Sequence, residues 1–168
     1  MIKFMPILII FTLVAIRLLP HPANFVPIGA LALFGGSYLP KKYALTIPFA
    51  VMFVSDMFLG FHSTMPYIYG SFILISLIGI TLKNRVNFTN VLLASLSSSI
   101  LFYLITNLGV FISTNLYPKT ATGLLDCFIM AIPFFRNTLL GDLFYNGMFF
   151  GSFALVKQLY FKLAYQSN

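Results

Sequence analysis

Val91-Leu-Leu-Ala-Ser-Leu-Ser-Ser-Ser-Ile-Leu-Phe-Tyr-Leu-Ile-Thr-Asn-Leu-Gly-Val-Phe-Ile-Ser-Thr114 runs for 24 residues without one charged side chain. A helix of that length reaches about 36 Å at 1.5 Å per residue, more than the ~30 Å hydrocarbon core of a bilayer. Charge, Pro and Gly separate five further apolar stretches on either side, at about 4–19, 25–39, 44–61, 66–82 and 137–157. The pattern predicts an all-α integral membrane protein, a single polytopic domain over 1–168 built as a bundle of about six transmembrane helices. The first two stretches, at roughly 15 residues each, fall short of the ~20 that an upright span needs. Pro20, Pro22 and Pro27 crowd the link between them.

Composition agrees. Ten Lys or Arg and three Asp or Glu are all the charge that 168 residues carry, where a soluble domain of this size would hold roughly 40. With 60% hydrophobic residues and 20 Phe, the apolar surface exceeds what one small core hides, so lipid is expected to cover the remainder. The same numbers exclude a disordered chain, and a single cysteine, Cys127, excludes a disulfide scaffold. Nucleic acid is not an expected partner, because the +7 excess is not gathered into a basic patch.

The placement of Lys and Arg gives an orientation. With the N-terminus cytoplasmic, Lys3, Lys41, Lys42, Lys83, Arg85, Lys157 and Lys162 face inward, seven of the ten, and the C-terminus returns to the same side. Arg17, Lys119 and Arg136 fall outside, with His21, Asn24, His62, Ser63, Thr64, Asn115, Tyr117 and Asp126. The first apolar run ends in Arg17-Leu-Leu-Pro20 rather than in small residues suited to cleavage, so a retained helix is expected there instead of a signal peptide. The expected location is a bacterial cytoplasmic membrane, with recognition from the outer side.

A charge within a spanning helix costs several kcal/mol and is expected to be paired, hydrated or functional. Asp56 lies about four residues from the outer end of its stretch and Asp142 about five from the outer start of the last one. Three readings stay open for them: a structural cluster in which Arg17 or Arg136 neutralises one or both, a contact with substrate or a coupling cation, and a proton relay. Ser95, Ser99, Tyr103 and Thr106 or Asn107 form a polar stripe on the longest stretch. Thr138, Asp142 and Asn146 form a second at i, i+4 spacing, so two polar faces can meet in the outer half.

Small residues mark close helix approach: Gly29, Ala32 and Gly36 on the second stretch, and the GxxxG of Gly147 and Gly151 on the last. The expected role is packing inside the bundle, with docking of an outside partner as the alternative. His21, His62, Asp126 and Cys127 lack diagnostic ligand spacing, so no metal site is predicted, nor any cofactor. The short likeness of Ser55-Asp-Met-Phe-Leu-Gly60 to Gly141-Asp-Leu-Phe-Tyr-Asn-Gly147 does not establish a repeat. There is no GxxxxGK[ST], HExxH or GxSxG, so any ATP drive would come from a partner and enzymatic activity is not expected.

The run Arg17-Leu-Leu-Pro-His-Pro-Ala-Asn-Phe-Val-Pro-Ile-Gly-Ala-Leu-Ala-Leu-Phe-Gly-Gly36 resembles a family of uncharacterised bacterial six-helix membrane proteins. The likeness continues through Ser55 to Gly60, Thr106-Asn-Leu-Gly109 and Pro133-Phe-Phe-Arg-Asn-Thr-Leu-Leu-Gly-Asp142, covering about 17–155. More distantly, the layout is similar to the substrate-binding S components of energy-coupling factor transporters, above all the cobalamin-type branch. The shared blocks are Asn24-Phe-Val-Pro27, Ser55 to Gly60, Met65-Pro-Tyr-Ile-Tyr69, Phe102 to Asn107 and Pro133 to Asn137. That resemblance implies six helices, a vitamin site near the outer face and a transmembrane coupling subunit with ATPases as partner. The first helix has only Thr12 and Ala15 where S components present an Ala-xxx-Ala surface, and Asp56 stands where that branch often has Asn.

Together these readings predict uptake of a small vitamin-like or nucleobase-like molecule from the outer side. The candidate binding residues are Asn24, Asp56, His62, Tyr67, Tyr69, Asn107, Phe135, Asn137 and Asp142. A few oriented polar groups would hold the molecule in an otherwise apolar pocket. The competing class is a non-transporting scaffold or assembly factor for another membrane complex.

Overall fold

The structure is a computed structural model that describes residues 5–166. It is all-helical there, with α1 Met5–Leu18, α2 Ile28–Tyr38, α3 Lys41–Leu59, α4 Met65–Thr81, α5 Phe88–Ser113, α6 Ala121–Met130 and α7 Ile132–Gln166. Lys3, assigned above to the cytoplasmic side, lies outside the described residues. Among the described residues, α3, α5 and α7 are long and apolar enough to cross a membrane; α2, α4 and α6 are shorter apolar helices. Large apolar side chains such as Phe58, Phe88, Leu93 and Phe144 cover the outer surface, which suits contact with lipid.

α2 is the hub. It packs against α3, α4, α5 and α7, and Ile28, Ala30, Ala32 and Leu33 are wholly buried, so it has no polar face to show. Small residues allow this. A Cβ on Gly36 would strike the backbone of Ser76 and Gly79, and one on Gly79 would strike the backbone of Leu33, so α2 and α4 touch main chain to main chain. Ser37 ties the crossing by donating to Leu33 O at 2.9 Å and Gly79 O at 3.2 Å.

Pro48 lies inside α3, and a proline there leaves the carbonyl four residues earlier without its helical donor. Ser76 Oγ donates to that carbonyl, Ala44 O, at 3.1 Å. An unsatisfied carbonyl in an apolar interior costs about 1–3 kcal/mol, which the α4 hydroxyl removes.

Two elements differ from the sequence reading. The segment from 121 to 130 is a helix, α6, where only a link was expected. Thr120 caps it, its Oγ1 accepting from Gly123 N at 3.1 Å, and Gly123, Cys127 and Ala131 form a buried face at a spacing of four. The last helix begins at Ile132 rather than near 137, because Pro133 falls in its first turn, where proline removes no helical hydrogen bond. It continues past Lys157 to Gln166, with no Pro or Gly to stop it.

The GxxxG of α7 does not serve the bundle. A Cβ on Gly147 or Gly151 would meet nothing within 4 Å, so the expectation of internal packing fails there. These glycines border an open groove of about 560 Å³ between the first turns of α5 and the second half of α7. Their spacing allows close approach, but α5 contacts α7 through its serines instead.

Candidate functional site

Both polar stripes read from the sequence face each other. Asn146 Nδ2 donates to Ser95 Oγ at 2.9 Å, and Ser99 Oγ donates to Asp142 Oδ2 at 2.7 Å. One turn further along α5, Tyr103 Oη donates to Phe128 O at 2.6 Å and so fixes α6 to α5. Beyond this contact the helices part around a cavity of about 300 Å³.

That cavity lies where the α1–α2 link, the start of α4, the end of α5, α6 and the start of α7 converge. Its walls include Asn24, Phe102, Tyr103, Asn107, Phe135 and Thr138. The Tyr103 and Phe135 rings lie 4.8 Å apart, centre to centre, and form one apolar wall. Asn24 projects from a turn in which it holds a φ of 64°, a left-handed conformation that asparagine tolerates better than most residues. A smaller cavity of about 30 Å³ shares Asn24, Phe102 and Thr138 with the larger one and is closed by Val26, Gly29, Phe72, Ile75 and Asp142. A carboxyl group therefore lies in the small cavity next to the cleft.

Asp142 is 4% exposed. Ser99 is its hydrogen-bond partner on Oδ2, and no ion pair among the described residues reaches it. Oδ1 has no hydrogen-bond partner among the described residues and lies against Gly29, where a Cβ would collide with it. Glycine on α2 thus makes the room that the carboxyl group occupies.

Hydrogen bonding turns several donors of the lining back into the helices. Thr106 Oγ1 donates to Phe102 O and Thr138 Oγ1 to Phe134 O, each back into its own helix. Asn107 Nδ2 donates to Tyr103 O, and the Cys127 thiol to Asn107 O at 3.4 Å. The Thr106 and Thr138 oxygens and Asn107 Oδ1 remain as acceptors, and Asn107 keeps one further N–H. Burial raises the pKa of the Cys127 thiol above its ordinary value, so it is held protonated at neutral pH and is a poor nucleophile.

The other residues singled out in the sequence lie elsewhere. Asp56, 1% exposed, pairs with Arg17 at 2.6 Å and accepts from Tyr69 Oη at 2.7 Å, away from the cleft. Arg17 also donates to Ser55 Oγ and to Met52 O. Arg136 is exposed and neutralises neither carboxyl group. His62 is exposed and shares a hydrogen with Thr64 at 2.8 Å. Tyr67 packs its ring on Gly109, and Asn137 Nδ2 donates to Ala23 O at 3.0 Å, tying the α1–α2 link to α7. The structure gathers Asn24, Asn107, Phe135 and Asp142, and leaves Asp56, His62, Tyr67, Tyr69 and Asn137 outside the cleft. Among the described residues no three of His, Cys, Asp and Glu come together as metal ligands would.

Phe102, Thr138 and the α6 residues Cys127 and Met130 complete the wall. Thr138 was legible from its i, i+4 stripe with Asp142; the α6 residues needed the helix itself to be recognised. A family profile matches residues 2–164, nearly the whole chain. The chain belongs to DUF6580, a family of unknown function. Neither a curated protein nor a solved structure matches it. For a DUF6580 chain, what the site can do therefore rests on the geometry of the cleft.

Proposed function

We propose that this DUF6580 protein is a six-span protein of the bacterial cytoplasmic membrane, with both termini cytoplasmic, that binds a small vitamin-like or nucleobase-like molecule from the outer side and passes it inward. The observation that carries the reading is the 300 Å³ cleft, aromatic along its sides, with the buried carboxyl group of Asp142 in the small cavity beside it. Its size is at the lower bound of small-molecule sites, and few polar groups among apolar walls is their usual make-up. The links around its mouth carry few basic residues, whereas Lys41 and Lys42 open α3 and Lys83 and Arg85 sit in the α4–α5 link, which supports an outward-facing mouth. On this reading α6 is a short helix at the outer end, and α1 to α5 with α7 are the six spans. Inward passage would draw on a coupling subunit with ATPases, as the likeness to S components implies.

Two experiments test it. An impermeant maleimide should label Ser63→Cys on intact cells and Lys83→Cys only after permeabilisation; the reverse pattern defeats the orientation. The detergent-purified chain should be stabilised thermally by at least one member of a vitamin and nucleobase panel, and Phe135→Ala should weaken that effect. No stabilisation across the panel defeats the binding reading.

A second reading has its own observation. Gly147 and Gly151 leave α7 open beside the 560 Å³ groove, which suits close approach of another helix. The protein would then be a scaffold or assembly factor. Co-purification with ATPases and a coupling subunit favours uptake, and co-purification with an envelope or biosynthetic enzyme favours assembly.

A further inference from the structure

We infer that the ligand carries a protonated amine, which seats on Asp142 while its aromatic or apolar body fills the cleft above. The inference rests on the reading of the cleft as a ligand site and names the chemistry of what enters it.

Three features of the lining converge. The first is the free oxygen: Asp142 Oδ1 faces the small cavity without a hydrogen-bond partner among the described residues, while Oδ2 already accepts from Ser99. A buried carboxylate lacking a cation is costly, and a cationic ligand supplies the missing charge. The second is the cavity itself. At about 30 Å³ it holds a group the size of a water molecule or an ammonium, and the Phe72 and Phe102 side chains line it. Aromatic faces attract a cation brought among them.

The third feature is the direction of the hydrogen bonds. Thr106, Thr138 and Cys127 each spend their one donor on a backbone carbonyl, so the two threonine hydroxyls offer oxygen acceptors, and Thr138 does so beside Asp142. An N–H donor satisfies these oxygens; a carboxylate or phosphate at the same place would meet the Asp142 carboxyl group, of its own sign. A hard metal ion fits no better, since it takes about six oxygen ligands. Beside Asp142 the small cavity has only Asn24 and Thr138 as side-chain oxygens, among Val26, Phe72, Ile75 and Phe102.

Matched probe pairs test this on the purified full-length chain: phenethylamine against 2-phenylethanol, and tryptamine against indole-3-ethanol, by calorimetry in mild detergent. Each amine should bind on the order of tenfold or more tighter than its alcohol. Asp142→Asn should erase that preference. Phe102→Leu, which keeps the carboxyl group and removes the aromatic face, should narrow it by roughly threefold, and serves if Asp142→Asn does not fold. Equal binding of amine and alcohol, or a preference that survives Asp142→Asn, overturns the inference. If that equal binding is weakened by Phe135→Ala, the cleft stands as a site and only its charge preference is lost; binding of neither probe while the vitamin and nucleobase panel still stabilises the chain overturns the amine inference alone, and failure of both overturns both readings.

Discussion

Asp56 and Asp142 are both nearly inaccessible carboxyl groups on long apolar helices, and they are held in opposite ways. Asp56 receives a guanidinium from α1 and a phenol from α4, so each oxygen has a partner and its charge is matched. Asp142 receives one serine hydroxyl from α5, and it lines a small cavity that shares Asn24, Phe102 and Thr138 with the cleft. The first is matched within the fold; the second has one oxygen without a hydrogen-bond partner among the described residues. Equal depth and equal charge do not make equal roles, and the inventory of partners separates them.

The comparison breaks first at Arg17. Arg17→Ala strands Asp56, and since the Arg17 side chain is only 14% exposed, the expected loss is about 3–5 kcal/mol, read as a lower unfolding midpoint in mild detergent. Asp56→Asn in the same chain should recover part of that loss, because no uncompensated charge then remains. Tyr69→Phe removes the second partner of Asp56 and should cost about 1.5–3 kcal/mol, as for a hydrogen bond to a charged group. Ser99→Ala removes the hydroxyl on Asp142 and should cost less, roughly 0.6–1.7 kcal/mol. Asp142→Asn should be the mildest, within about 1 kcal/mol of the parent, because it discharges a group with no counter-ion while preserving the bond from Ser99. A loss from Asp142→Asn as large as that from Arg17→Ala would mean that Asp142 has a hidden cation, and the distinction would collapse.

Much of this arrangement was legible in the chain, and the reasons are local. Ser95 and Ser99 on α5, with Asp142 and Asn146 on α7, repeat at four residues, so each set had to share a face, and hydroxyls gain little from lipid. The pattern allowed the two faces to meet, and the structure pairs them. Arg17 as a partner for a carboxyl group was one of two candidates, because sequence gives depth but not azimuth; Arg136 sits at a similar level and turns outward. Direction also explains the misplaced residues. His62, Tyr67 and Asn137 lie near the mouth in chain order, yet their side chains point to Thr64, Gly109 and Ala23.

Two features escaped for other reasons. α6 is ten residues long and carries Asp126 on its exposed side, so it reads as a link to any search for spans. Gly79 has no glycine at a spacing of four in α4, Gly70 being nine residues away, and its role appears only when Gly36 lies opposite. The GxxxG of α7 shows the converse, since a motif states that a helix can be approached and does not say by what.

The Arg17–Asp56 pair also bears on how the chain is made. Its members are 39 residues apart in sequence. At about 5–20 residues per second, roughly 2–8 s separate the synthesis of the arginine from that of the aspartate. On the membrane reading, α1 emerges with a cation near its end and no answering anion, and stays a poor lodger in lipid for that interval. Settling of α1 is thereby coupled to delivery of α3, which favours entry of the first three helices as one unit over entry one by one.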